Sequence, residues 1–161
     1  MWVVLLAVLL FSGNAVKETV SLRIEKHAQR LMVLKGKQLI GTYHCVFGGN
    51  PVDDKQQQGD GCTPEGVFKV CGKYPHAKWQ KFIWIDYPNQ ESKKRFSARK
   101  KAGTIPANAQ IGGDIGIHGT PNDQWVRTGE NWTLGCISLT SADIEAIYPL
   151  VSVGTTVEIV H

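Results

Sequence analysis

The chain has 161 residues, 42% apolar and 20% charged, with a net charge of +4 and a pI near 8.9. That composition suits one globular domain with a real hydrophobic core. The charge favours an anionic polymer or surface as partner but falls short of a nucleic-acid-binding composition.

After the initiator Met comes an apolar run of ten residues, WVVLLAVLLF. It is too short to span a bilayer comfortably and fits the core of a signal peptide. Ser12-Gly13-Asn14-Ala15 follows with small residues where a signal peptidase reads, Gly13 and Ala15 at minus three and minus one. No Lys or Arg precedes the run, and a buried N-terminal strand is the alternative. Residues 1–15 are therefore expected to be a signal peptide or N-terminal anchor, and 18–161 a single domain without internal repeats.

From Val20 the pattern becomes short alternating segments. VSLRI predicts a strand, and LMVLKGKQLIGTYHCVF, with Lys35-Gly36-Lys37 at its middle, predicts a β-hairpin. Residues 48–61 are rich in Gly, Asp and Gln without periodicity, as in a long solvent loop. Thr63-Pro64-Glu65-Gly66 suits a type I turn leading into the strand VFKVCG. WQKFIWIDYP predicts another strand, stopped by Pro88. ESKKRFSARKKAG, residues 91–103, is basic and helix-tolerant, with six cations among the nine residues 93–101. A solvated face is its ordinary role; a rim that attracts an anionic polymer is the functional alternative.

GGDIGIHGTP, residues 112–121, predicts a strand in which glycine permits close backbone approach. It matches neither GxxxxGK[ST] nor GxGxxG, which excludes a phosphate loop. Thr140 with Asp143 forms a capping-box-like start, and Ile144, Ile147, Tyr148 and Val151 recur at helical spacing. TTVEIV then predicts a closing strand.

Four cysteines, Cys45, Cys62, Cys71 and Cys136, suggest two disulfides in an exported chain. If Cys136 stays free, at most two of the others pair, and which two is open. No CxxC, HExxH or paired Cys/His set supports a metal site.

His118 and Cys136 carry the candidate chemistry. Each lies in a short β-like segment bounded by glycine, joined by a polar stretch expected to loop back and set the segments side by side. An imidazole beside sulfur takes the thiol proton, and Gly135 allows backbone N–H groups to turn toward a developing oxyanion. The bland alternative is a packed thiol, since Leu134, Ile137 and Leu139 are core-like. His27, His44, His76 and His161 have no comparable setting and are expected at the surface or in packing. Asn131-Trp132-Thr133 fits the glycosylation pattern by chance, because a glycan there would obstruct the nucleophile.

From GGDIGIHGTP through NWTLGCISLTSADIEAIYPLVSVGTTVEI the chain resembles the catalytic core of YkuD-type L,D-transpeptidases, whose signature is a His-Gly pair followed by Ser/Thr-x-Gly-Cys. Here these are His118-Gly119 and Thr133-Leu134-Gly135-Cys136. Trp132 and Ile137 beside that motif, and the Gly-Thr-x-Val-Glu-Ile strand at 154–159, look most like the YafK-like branch. The TPEG turn, Tyr87-Pro88-Asn89 and Gly112-Gly113-Asp114 occur in family order.

The resemblance implies a mainly β, β-sandwich-like catalytic domain with one or two short helices, over 18–161. It also implies an exported, monomeric enzyme of the periplasm or cell wall acting on peptidoglycan stem peptides, without metal, organic cofactor or nucleic acid. Cys136 would be the nucleophile, His118 the base oriented by the Gly119 carbonyl, and the N–H groups of Gly135 and Cys136 the oxyanion donors. Trp132, Thr133, Leu134 and Ser138 would frame the substrate. Many members have His in place of Leu134 and Arg or Asn in place of Ser138; this chain has neither. The acceptor is a second stem or, in a carboxypeptidase or hydrolase, water. A non-catalytic wall-binding module is the rival from another class.

Overall fold

A computed structural model of the chain describes residues 18–161; the leader expected over 1–15 lies outside the described residues. Among those residues no helix is long and apolar enough to cross a membrane.

The framework is one eight-stranded sheet that curls on itself. Its strands are β1 (Val20–Glu25), β2 (Arg30–Lys35), β3 (Gln38–His44), β4 (Gly66–His76), β5 (Gln80–Ile85), β6 (Gly116–His118), β7 (Ile137–Ser138) and β8 (Thr156–Val160). Their spatial order is β3-β2-β1-β8-β4-β5-β6-β7. The expected hairpin is β2–β3, with Gly36 at φ 59° in its turn.

Alternation explains the first half of the sheet. Leu22 and Ile24 of β1 register with Val33 and Leu31 of β2 and with Val157 and Ile159 of β8, while Phe68 of β4 registers with Val157. These residues are all buried, so every second side chain of four strands enters one core. Each such aliphatic contributes about 1.5–3 kcal/mol. The closing strand from the end of the sequence is thus an internal strand, parallel to β1 and antiparallel to β4.

β4 makes the curl possible. Its first residues, Gly66 to Lys69, pair with β8, and Val70 to His76 pair with β5. The register shifts between Val70 and Gly72. The second half of the sheet then faces the first and supplies Ile83, Ile85, Ile117, Ile137 and Leu139 to the same core.

Three α-helices among the described residues, against the one or two expected, complete the domain with a 3-10 turn at Tyr148–Leu150. α1 (Gln90–Ala102) is the basic segment: Asn89 caps its first turn by accepting from Ser92 N–H, and Gly103, at φ 69°, ends it. α2 (Asp123–Arg127) lies within the stretch between β6 and β7. α3 (Ser141–Ile147) starts at Thr140, whose hydroxyl accepts from Asp143 N–H, and buries Ile144 and Ile147.

Three expectations are corrected. Residues 63–65 make no turn, and β4 begins directly after them. The stretch from β6 to β7 does not simply loop back: the two strands are parallel, and α2 lies in the crossover that parallel pairing requires. All four cysteines are free, because Cys45 lies in the core, Cys71 faces solvent on β4, and Cys62 sits in the 48–62 segment beside Asn50.

Candidate active site

β6 and β7 are three and two residues long, and their pairing builds the site. Ile117 faces Ile137 and His118 faces Ser138 in parallel register. One step back, Cys136 comes level with Gly116, whose backbone N–H favours the thiolate form of its sulfur. Registered residues of paired strands share a face, so imidazole and thiol project to the same side. Both line one cavity of about 550 Å³.

The ring of His118 is fixed from several directions. Its Nδ1 is 2.6 Å from the carbonyl of Gly119. That nitrogen therefore carries the proton, and Nε2 is left as the base. Trp79 lies face-on to the ring at 4.3 Å, Phe82 stacks at 5.6 Å, and Trp132 meets it edge-on at 5.7 Å. Trp79 reaches this position because the β4–β5 hairpin tip is tied to β6, with Gly119 N–H donating to the Trp79 carbonyl at 3.0 Å. A side chain on Gly119 would meet that carbonyl at 2.6 Å, so glycine is required by the close approach.

Burial sets the electrostatics. The His118 side of the site is almost wholly enclosed, which pushes its pKa down to about 4 against the pull of its bond to Gly119. Burial pushes the Cys136 thiol up to about 11, opposed by the Gly116 N–H and, more weakly, by Lys55. Sγ also lies 3.5 Å from the Asp114 carbonyl, an acceptor for the S–H. The resting site is thus neutral thiol and neutral imidazole, and proton transfer belongs to the step of attack.

The 133–136 turn is held from within. Thr133 Oγ1 donates to the Cys136 carbonyl at 2.7 Å and accepts from Gly135 N–H at 3.1 Å. The Gly135 N–H, expected as an oxyanion donor, is thus engaged within the turn in this structure. Gly135 itself has φ 138°, and a Cβ there would lie 2.7 Å from the Cys62 carbonyl.

Of the residues expected to frame a substrate, Trp132, Thr133 and Leu134 line the cavity. Leu134 is 90% exposed at its edge. The Trp132 Nε1–H is buried without an acceptor among the described residues. Ser138 is different: it is fully buried, and its hydroxyl donates to the Gly119 carbonyl at 3.2 Å. It supports the His118 anchor and does not line the cavity, because its place opposite His118 in the register turns it to the carbonyl.

Other residues of the site gave little signal in the sequence. Trp79 reads there only as the start of a strand. His76, expected at the surface or in packing, stacks on Trp79 at 4.4 Å and so backs the ring that backs His118. The 48–61 loop is no free solvent loop, since Lys55, Gln58, Gly59 and Gly61 form one cavity wall. It is pinned by Asp54, which accepts from Arg95 and Arg99 of α1 at 3.2 and 2.9 Å. Two of the six cations are therefore structural ties.

Comparison with known proteins identifies the family and the fold. A family model described as the YkuD L,D-transpeptidase catalytic domain matches residues 19–159. Among solved structures, Bd1075 of Bdellovibrio bacteriovorus aligns at TM-score 0.62 and 19% identity, covering 89% of this chain and 48% of its own. The helical cell shape determining protein Pgp2 of Campylobacter jejuni gives 0.63 and 20%, with 89% and 48% covered. An L,D-transpeptidase of Xylanimonas cellulosilytica gives 0.59 and 13%, with 89% and 61% covered. At these identities the likeness is one of fold, and the chain spans about half the length of the first two proteins. No curated protein matches the sequence.

Proposed function

The chain belongs to the YkuD family of L,D-transpeptidase catalytic domains, and we propose that it acts on peptidoglycan stem peptides through a thioester on Cys136. The observation that carries this reading is the placement of His118 at the end of β6 and Cys136 just ahead of the adjoining parallel β7, lining one cavity, with His118 Nδ1 tied to a carbonyl.

In the first step Sγ attacks the carbonyl that joins the stem's L-configured centre to its terminal D-Ala, while Nε2 of His118 takes the thiol proton. The carbonyl oxygen becomes the oxyanion, and with the Gly135 N–H engaged, the Cys136 N–H is the donor that remains of the expected pair. The carbon–nitrogen bond then breaks, and Nε2 returns the proton to the departing D-Ala amine. In the second step an amine of another stem attacks the thioester, His118 takes its proton, and the carbon–sulfur bond breaks with the proton passing back to sulfur. Water in place of the amine gives hydrolysis by the same route, so a carboxypeptidase is the second reading.

The enzyme works outside the cytoplasm, in the periplasm or cell wall, as a monomer with residues 1–15 as signal peptide or N-terminal anchor; its substrate and its likeness to the YafK-like branch are part of the same proposal. Incubating the protein with disaccharide tetrapeptide and weighing products by mass spectrometry tests it. Cross-linked dimer is expected, tripeptide alone marks the hydrolase, and Cys136→Ala should form neither. Product from that variant would sink the thioester.

A further inference from the structure

Lys55 is the one cation of lysine or arginine type among the cavity-lining residues, and it is buried there. A buried ammonium is held only where its charge and its three N–H groups are met. Two are: Nζ donates to the Gln57 carbonyl at 3.1 Å and to Asp60 Oδ1 at 2.9 Å. No acceptor among the described residues takes the third. Asp60 moreover does not answer Lys55 alone, since its carboxylate also accepts from the N–H groups of Gln56, Gln57 and Cys62. Against burial, which raises it, those bonds and the Lys55 ammonium together hold its pKa below the ordinary carboxylate value. The lysine is preorganised as well, because its carbonyl accepts from Arg99 at 3.1 Å and the neighbouring Asp54 is clamped to α1.

We infer that Lys55 is the specificity residue that receives the free C-terminal carboxylate of the acyl-donor peptide, through its uncommitted N–H in the cavity that holds Cys136. This rests on the proposed function. In a stem ending in D-Ala, one amide nitrogen and one Cα separate that carboxylate from the carbonyl under attack, so an anion site on the cavity wall is where a terminal residue would be gauged. Lys55 would make the enzyme act on the last peptide bond of a free chain end and pass over stems whose terminus is blocked. Asp114, the other charged lining residue, is exposed and carries the opposite sign.

The test separates this role from a structural one. Binding of disaccharide tetrapeptide, and of the same peptide with a C-terminal carboxamide, is measured by calorimetry on Cys136→Ala and on Cys136→Ala/Lys55→Gln. In the first protein the free acid should bind roughly 10–100-fold more tightly than the amide, as for a charge-assisted hydrogen bond. In the second the acid should weaken to the level of the amide, with the amide unchanged. A peptide amidated only on the side chain of its third residue should bind as the parent does. Equal affinities for acid and amide while Lys55 is present overturn the inference whether or not the double variant folds; so do equal losses for both ligands, or discrimination that follows the third residue. Failure of the thioester reading shows separately, as product formed by Cys136→Ala.

Discussion

His118 Nδ1 and Ser138 Oγ converge on a single acceptor, the carbonyl of Gly119, at 2.6 and 3.2 Å. The two residues face each other across β6 and β7, so the bond that orients the base is braced by the neighbouring strand. Ser138→Ala removes that brace and leaves the His118 bond in place. The expected result is a loss of about 1 kcal/mol in urea unfolding and a several-fold fall in kcat with KM unchanged. A change in KM alone would place Ser138 in substrate binding after all.

The acid limb of kcat/KM follows from the burial of His118. The general base must be neutral, and its pKa is pushed down to about 4 from 6.5, so activity should persist through pH 5 and halve near pH 4. A midpoint near 6.5 would contradict the enclosed setting described above.

The same shift links to stability, with a definite sign. Between pH 6.5 and about 4 the unfolded chain binds a proton that the folded chain refuses, so stability falls as pH drops through that window and levels below it. The difference amounts to about 3 kcal/mol. Urea midpoints at pH 7 and pH 4, compared with those of His118→Asn, isolate it: the variant should lack this component.

Thiol labelling should rank the cysteines by environment. Cys71 is exposed and should react first with iodoacetamide, whereas Cys45, fully buried, should react only after unfolding. Cys136, its thiol pushed up to about 11, should label slowly at pH 7 and faster as pH rises. Fast labelling of Cys136 at neutral pH would mean a preformed thiolate.

Gly135→Ala meets two obstacles, a φ of 138° and the Cys62 carbonyl 2.7 Å from the new Cβ. A loss of at least about 2 kcal/mol and abolished turnover are expected. Gly154→Ala, at φ 93° with nothing within 4 Å, supplies the control. It should cost only about 1 kcal/mol and keep full activity by the product assay.

By itself the sequence determined the elements whose cause is local. Alternation placed β1, β2 and β8, the Thr140–Asp143 pair placed the start of α3, and the His-Gly and Thr-x-Gly-Cys motifs singled out His118 and Cys136. Tertiary structure decided what depends on which segments meet. A parallel pairing of β6 with β7 carries no local signal, because the register arises from contacts between strands far apart in the chain. For the same reason nothing in the 48–61 composition marks Lys55 as a cavity residue, and nothing around Trp79 marks it as the ring against His118. Hydrogen-bond competition settled the rest: Thr133 claims the Gly135 N–H and Ser138 turns to the Gly119 carbonyl, because a buried polar group takes the nearest partner the fold provides.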